Sequence, residues 1–187
     1  IHSEHRNAAE PLEELTRLPG TALFPLDPAV NRCEVEAVVR VGDEVSIGDV
    51  LAQGADLVIH ASIPGIVEQL DDRKIVLRRT EKPSPPPAFL PAAPTRQELP
   101  SFAREMGLVG MGGSLFPASI KLKAAQRLHT LVINAVECEP GIEVDEALLL
   151  HDPTPVRTGL ACLVNALGIE RTVLAVKRAS VPDTKAF

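Results

Sequence analysis

The sequence predicts a two-domain α+β chain, in which a unit of short β-strands precedes a unit of alternating helices and strands. Three observations predict it. β-Branched residues punctuated by Gly-Asp pairs fill residues 22–80, helix and strand patterns alternate from residue 99, and Pro83–Pro94 between them reads PSPPPAFLPAAP. Such proline density favours extended backbone and cannot continue a helix or a central strand. The predicted organisation is a flexible N-terminus (1–21), a β domain (22–80), a proline-rich linker (81–98) and an incomplete α/β domain (99–187).

The composition of this 187-residue chain excludes several functional classes. Its net charge is −6, and it has five Phe but no Tyr or Trp, so it lacks the basic surface and stacking rings of a nucleic-acid-binding protein. Cys33, Cys138 and Cys162 show no C-x-x-C spacing, which argues against a zinc site or an iron–sulfur cluster within the chain. No apolar run approaches the ~20 residues that cross a bilayer. We therefore expect a cytoplasmic protein with no metal site.

The β unit carries the repeat V-x-x-G-D-x-V-x-x-G-D-x-L, which is typical of strands joined by tight turns. With VIHASIPGIVEQL and RKIVLRR after it, this unit resembles the barrel-sandwich hybrid fold of biotinyl and lipoyl carrier domains. Those carriers need a lysine at a hairpin tip. The corresponding hairpin here is GADL, residues 54–57, and no lysine occurs before Lys74, so a swinging-arm carrier is excluded. His60 is interpreted as a strand or turn residue rather than a ligand.

The second unit begins with a short helix, predicted from about Pro100 to Gly107. The segment GLVGMGGSLFPASIKL then forms a glycine-rich loop and a helix that begins at Pro117. TLVINA is predicted to be a buried-type strand and RTVLAVK a further strand, with a helix between them that ends at Gly168, so parallel pairing is expected. Glycines before a helix let backbone N–H groups surround an anion. From these residues alone, the loop is either a plain connection or an anion site, and Lys121 is either a solvated or a ligand-binding residue.

The order of these motifs is more specific than any one of them. The glycine-rich loop, Phe-Pro, a lysine-bearing helix and a strand are followed by Asn-Ala-x-Glu-x-Glu-Pro in LVINAVECEPGIEVDEALLL. This combination resembles the N-terminal part of the RnfC family, the C subunits of Rnf electron-transport complexes. More distantly, it resembles the NADH-binding flavoprotein subunit of respiratory complex I. The preceding β unit resembles the N-terminal domain of the RnfC family, so the resemblance covers roughly residues 22–180.

The resemblance implies a chain that binds FMN and NAD(H) and passes electrons to iron–sulfur centres held outside this chain. It also implies docking to other subunits of a membrane complex at the cytoplasmic face of the inner membrane, and the isolated chain is not expected to turn over. No catalytic residue is assigned. The cofactor-binding residues that it implies are Gly110, Gly112 and Gly113 at the flavin, Phe116 at the nicotinamide side, Lys121 at the flavin or its phosphate, Asn134 and Glu137 at the flavin, and Glu139 near the nucleotide.

Two departures from the related flavoproteins keep other functions open. Those proteins usually read Gly-Gly-Ala-Gly-Phe-Pro-Thr, whereas this chain has Leu115 in place of the last glycine of that motif and Ala118 in place of threonine. One alternative is a non-catalytic binding or scaffold protein on a degenerate version of the fold, and another is a corrin reductase-type flavoprotein of bacterial microcompartments. An incomplete α/β sheet would expose an apolar edge or face, so self-association of the truncated chain is also expected.

Overall fold

A computed structural model describes residues 17–81, 93–111, 114–125, 128–136 and 144–176. The chain divides into two compact units. Residues 16–126 form the first, which we call the barrel unit, and residues from 127 onward belong to the second, which we call the strand–helix unit. The predicted division of the chain into domains at residues 81–98 stays a prediction.

Antiparallel sheets of short strands build most of the barrel unit. Strands β1, β7, β6 and β3 form one sheet in that order, and β2, β4 and β5 form the other. The elements of this unit are β1 (Thr21–Pro25), α1 (Pro28–Asn31), β2 (Glu36–Ala37), β3 (Glu44–Val45), β4 (Val50–Gln53), β5 (Val58–His60), β6 (Gly65–Leu70), β7 (Lys74–Arg79), α2 (Leu99–Glu105) and α3 (Ala118–Ala124).

Aliphatic side chains fill the core of the barrel unit. Leu51, Val67, Ile75 and Leu77 are fully buried, and Phe24 is the one aromatic residue of this cluster. In β7 the buried residues alternate with more exposed ones, as expected for a strand with one face on the core. Each fully buried aliphatic side chain contributes roughly 1.5–3 kcal/mol from its removal from water. The predicted unit of short strands is confirmed.

The Gly-Asp repeat forms two equivalent turns. Asp43 accepts a hydrogen bond from Arg40 N at 2.8 Å, and Asp49 accepts one from Ser46 N at 2.7 Å, each at the carboxylate Oδ2. The glycine before each aspartate has a left-handed φ, 95° in the first turn and 88° in the second. A residue with a Cβ is strained at such a φ, which explains the glycine. Aspartate follows it because its own carboxylate closes the turn. These two properties explain the repeat.

Helix α2 ends in a Schellman motif at Gly107. Gly107 N donates to Arg104 O at 3.0 Å, and Leu108 N donates to Ala103 O at 3.0 Å, which satisfies two carbonyl groups of the last turn. Gly107 has a φ of 64°. The helix predicted to begin near Pro100 and to stop at this glycine is therefore confirmed.

The strand–helix unit contains the two strands that the sequence predicts. Strands β8 and β9 pair in parallel, with Ile133 opposite Leu174, so the expected parallel pairing is confirmed. The expectation that TLVINA is a buried strand is wrong, because its residues alternate between exposed and half-buried, and Val132 is 59% exposed. A sheet of two strands leaves the face with Val132 uncovered among the described residues. The elements are β8 (Thr130–Ala135), α4 (Val144–His151), α5 (Thr154–Leu167) and β9 (Arg171–Val176).

Candidate functional site

The glycine-rich loop, residues 108–118, is closed at its base by backbone pairing. Val109 and Pro117 form an antiparallel bridge, Gly110 N donates to Phe116 O at 2.9 Å, and Ala118 N donates to Leu108 O at 2.9 Å. Pro117 therefore keeps an extended backbone, with a ψ of 127°, and lies just before α3 rather than within it. Because the bridge holds Pro117 in this conformation, the helix begins one residue later than the sequence predicts.

The base of the loop rests on the barrel and its tip lies at the surface. Val109 packs against the barrel core, and Pro117 is fully buried. At the tip, Met111 is 85% exposed and Ser114 is exposed. A fixed base with an accessible tip is the arrangement by which a loop presents backbone groups to a ligand.

Among the described residues, nothing in the packing around Gly110 requires a glycine. Its φ is not in the left-handed region, and an added Cβ would meet its nearest neighbour, Ser114 Oγ, at an ordinary 3.7 Å. The described structure therefore leaves room beside Gly110. Glycine at such a position is accounted for when a ligand approaches the backbone closely.

Leu115 has a φ of 48°, in the left-handed region that glycine favours. The side chain is only partly buried. A leucine in this conformation costs about 1–2 kcal/mol relative to glycine. The loop therefore retains the backbone of a glycine at the position where the related flavoproteins have glycine.

Lys121 and Phe116 come together beside the loop. The Lys121 Nζ lies 5.7 Å from the centroid of the Phe116 ring, which is within the range of a cation–π interaction. The Lys121 side chain is exposed and the Phe116 side chain is partly buried. Three of the predicted site residues, Gly110, Phe116 and Lys121, are thus neighbours in one loop–helix segment.

The other predicted site residues are not brought to this loop by any described contact. Asn134 lies near the end of β8 in the strand–helix unit, where its side-chain oxygen accepts a hydrogen bond from Val136 N at 3.1 Å. Gly112, Gly113, Glu137 and Glu139 lie outside the described residues. Their roles stay predictions.

The hairpin tip of residues 54–57 is covered by α2 and α3. Arg104 Nε donates to Gly54 O at 2.7 Å, Ser119 Oγ donates to Asp56 O at 2.5 Å, and Lys123 Nζ pairs with Asp56 Oδ1 at 2.5 Å. Ser119 is fully buried at this contact. These contacts hold the tip, which contains no lysine, against the two helices. Sequence reasoning missed Asp56, because an aspartate in a turn is ordinary.

His60 is half-buried at the end of β5, beside the C-terminus of α2. Burial lowers the pKa of this imidazole below its ordinary value of 6.5, because it disfavours the charged form. The unfolded chain therefore takes up the proton at a higher pH than the folded one. The stabilisation by neutral His60 is complete above about pH 6.5 and is lost as the pH falls through the lower, folded-state pKa.

We therefore expect the free energy of unfolding to decrease between pH 7 and pH 5. Urea denaturation followed by circular dichroism at several pH values measures it, and His60→Gln is the control that lacks this proton uptake. Hydrogen bonds from backbone N–H groups lower the pKa values of Asp27 and Asp71 below 3.8, so these carboxylates titrate at lower pH. If the stability of His60→Gln had the same pH dependence as that of the unmodified chain, His60 would not be the cause of the decrease.

The described residues contain neither a cluster of metal-binding side chains nor a membrane-spanning helix. In those parts of the chain, no group of three or more His, Cys, Asp or Glu side chains is arranged to hold a metal ion. Cys33 and Cys162 are free thiols, and burial raises the pKa of Cys33. Within the same described segments, no helix has both the length and the apolar character needed to cross a membrane.

Comparisons with known proteins match the two parts of the chain to two domain families. Residues 1–83 match the family described as the RnfC barrel sandwich hybrid domain, and residues 103–187 match the Nuo51 FMN-binding domain. The predicted fold class, a barrel-sandwich hybrid followed by an α/β flavin-binding type of domain, is confirmed by these matches together with the mixed α/β structure.

Relatives of known name align with both parts. The C subunit of the ion-translocating oxidoreductase complex of Edwardsiella ictaluri is 29% identical over 178 residues, covering 86% of this chain and 22% of the relative. Its counterpart from Pseudomonas aeruginosa is 36% identical over 135 residues, covering 70% of this chain and 17% of the relative. The C subunit of the proton-translocating ferredoxin:NAD(+) oxidoreductase complex of Clostridium ljungdahlii is 25% identical over 197 residues. The alignment covers 94% of this chain and 42% of the relative. The chain thus spans between 17% and 42% of the length of these relatives.

Proposed function

Because the chain is confirmed as a relative of the RnfC proteins over both of its matched domains, we propose that it binds FMN at the glycine-rich loop and serves electron transfer with NAD(H). The observation that carries the proposal is the room beside Gly110 in a loop whose base is already fixed. The loop lies within the segment that matches an FMN-binding family. Its described residues fit a flavin that lies against exposed backbone.

In this proposal each residue of the loop segment has a defined task. Gly110, with Gly112 and Gly113, lets the backbone approach the flavin, and Phe116 lies at the nicotinamide side. Lys121 supplies positive charge near the flavin or its phosphate. Bound FMN supplies the chemistry of hydride acceptance and electron transfer, while the protein supplies orientation and electrostatics.

The amide and the carboxylates around the end of β8 complete the proposed site. Asn134 and Glu137 hydrogen-bond the flavin, and Glu139 lies near the nicotinamide nucleotide. Asn134 is near the end of β8 and the two glutamates follow this strand, and open α/β sheets bind ligands at the carboxyl ends of their strands. Electrons then pass to iron–sulfur centres of partner subunits or domains in a membrane complex, to which the chain is bound at the cytoplasmic face.

A second candidate, a non-catalytic binding or scaffold protein, is favoured by Leu115. Its φ of 48° is the conformation of a glycine, yet a branched side chain occupies it. A lineage that no longer binds flavin would tolerate such a substitution. The fold would then be retained for its docking surfaces.

Titration of the chain with FMN tests the proposal, with flavin fluorescence as the signal. We expect saturable quenching, since a flavin in a protein site exchanges water for stacked and hydrogen-bonded groups. Quenching only after Leu115→Gly would favour the scaffold, and no quenching by either protein would overturn the FMN proposal.

A further inference from the structure

The turn after α1 holds Arg32 in a fixed and strained conformation. Arg32 ends α1 with a φ of 58°, and among the described residues it shares a left-handed φ outside glycine only with Leu115. Its neighbours hold the turn in place: Asp27 Oδ1 accepts from Ala29 N at 2.9 Å, and the buried Asn31 amide donates to Pro25 O at 2.8 Å. Strained residues of this kind persist where the surrounding structure holds them, and they cluster at functional sites.

The Arg32 side chain reaches from the barrel to the glycine-rich loop. Its Nε lies 3.4 Å from Ser114 O, although the two residues are 82 positions apart in the sequence. Ser114 directly precedes Leu115. Arg32 makes this contact, and Leu115 follows the residue that accepts it. The contact links the β-strand part of the barrel unit to the tip of the loop.

Arg32 has no carboxylate within ion-pair distance among the described residues, whereas Arg73 and Arg78 of the same unit each have one. Arg73 pairs with Asp27 at 3.2 Å, and Arg78 pairs with Glu68 at 3.4 Å. A guanidinium has five N–H donors, and the contact with Ser114 uses one of them. The remaining donors of this exposed side chain are available to an anionic ligand at the loop.

Lys121 supplies a second such cation on the same segment. Within the described parts of the chain it also has no carboxylate partner, and its Nζ lies over the Phe116 ring. Two cations thus accompany a loop that has an accessible backbone. A phosphate monoester, with close to two negative charges and several acceptor oxygens, is the ligand group that guanidinium and ammonium groups bind together.

We propose that Arg32, contributed by the β-strand part of the barrel unit, binds the phosphate of FMN at the glycine-rich loop. This inference rests on the proposed function and adds to it a residue from outside the matched FMN-binding segment. It makes the barrel part of the cofactor site. The Nε contact with Ser114 O positions the side chain, and the terminal nitrogens of the guanidinium contact the phosphate.

The test compares FMN with riboflavin, which has the same ring system but no phosphate. Titrations use the whole chain and its Arg32→Gln, Arg32→Lys and Arg78→Gln variants. We expect Arg32→Gln to weaken FMN binding by about five- to tenfold and to leave riboflavin binding unchanged. Arg32→Lys keeps the charge and should lose less. Arg78→Gln removes an equal charge from β7, where Arg78 pairs with Glu68 and makes no described contact with the turn at Arg32 or with the loop, and it should bind FMN as the unmodified chain does.

The outcomes separate this inference from the proposed function. FMN binding that is insensitive to Arg32→Gln would overturn the inference and leave the FMN proposal standing. Equal weakening of FMN and riboflavin would also overturn it, because the residue would then act on the shape of the loop. If neither the unmodified chain nor Leu115→Gly binds FMN, both proposals are overturned. Circular dichroism of each variant verifies that the fold is retained.

Discussion

Replacing Gly107 by alanine is expected to destabilise the barrel unit by about 2–4 kcal/mol. Two effects add. Gly107 has a φ of 64°, at which any residue with a Cβ is strained. An added Cβ would also lie 2.7 Å from Val58 O and 3.2 Å from His60 Nδ1. Because the first of these atoms is backbone in β5, relief requires α2 to move away from the barrel.

Gly42→Ala is the matched control for Gly107→Ala. Gly42 has a φ of 95°, yet an added Cβ would meet nothing within 4 Å. The control therefore carries conformational strain without the collision. Urea denaturation followed by circular dichroism measures both variants. An equal loss of stability in the two would show that the contact between Gly107 and β5 contributes nothing beyond the left-handed φ.

Replacing Leu115 by glycine is expected to raise FMN affinity by at least about tenfold, equivalent to about 1.4 kcal/mol. Glycine suits the observed φ of 48°, and it removes a branched side chain from the face of the loop that a flavin approaches. The stability of the chain should change little. Relief of about 1–2 kcal/mol of strain is offset by the greater freedom of glycine in the unfolded chain and by the loss of a partly buried side chain.

Leu115→Ala separates the steric part of this effect from the conformational part. Alanine removes most of the side chain and keeps the strain of a Cβ at a positive φ. If the leucine side chain obstructs the flavin, both variants bind FMN more tightly in the fluorescence titration. An unchanged affinity in Leu115→Gly would contradict the idea that this residue limits flavin binding.

The parts of the fold that local sequence determines were predicted successfully. The Gly-Asp turns follow from the φ that glycine permits and the carboxylate that closes the turn. The end of α2 follows from one glycine, and the parallel pairing of β8 with β9 follows from the alternation of strand and helix. The glycine-like conformation at Leu115 is consistent with the family motif, although the residue itself is not glycine. The turns, the helix end and the conformation at Leu115 depend on residues close together in the chain, and the strand pairing depends on the order of successive elements.

Side-chain contacts between distant residues were not predicted, because such contacts leave no periodic signal in the sequence. Asp56 and Ser119 are 63 positions apart, and Arg32 and Ser114 are 82 apart. Aspartate in a turn and arginine after a short helix are both common on surfaces, so neither residue type identifies a partner. Asn134 lies in the strand–helix unit, and Glu137 and Glu139 lie outside the described residues, so their roles at the cofactor stay predictions.

The contacts made by the hairpin tip have a consequence for how this sequence can evolve. In a carrier domain the tip is selected for the enzyme that modifies it and for the sites that it visits. Here Gly54 and Asp56 are joined instead to Arg104, Ser119 and Lys123. Arg104 and Ser119 donate to backbone carbonyl groups, which any residue at the tip retains, whereas Lys123 pairs with the carboxylate of Asp56 itself. Among homologous chains, positions 56 and 123 should therefore vary together, although they lie 67 positions apart in the sequence.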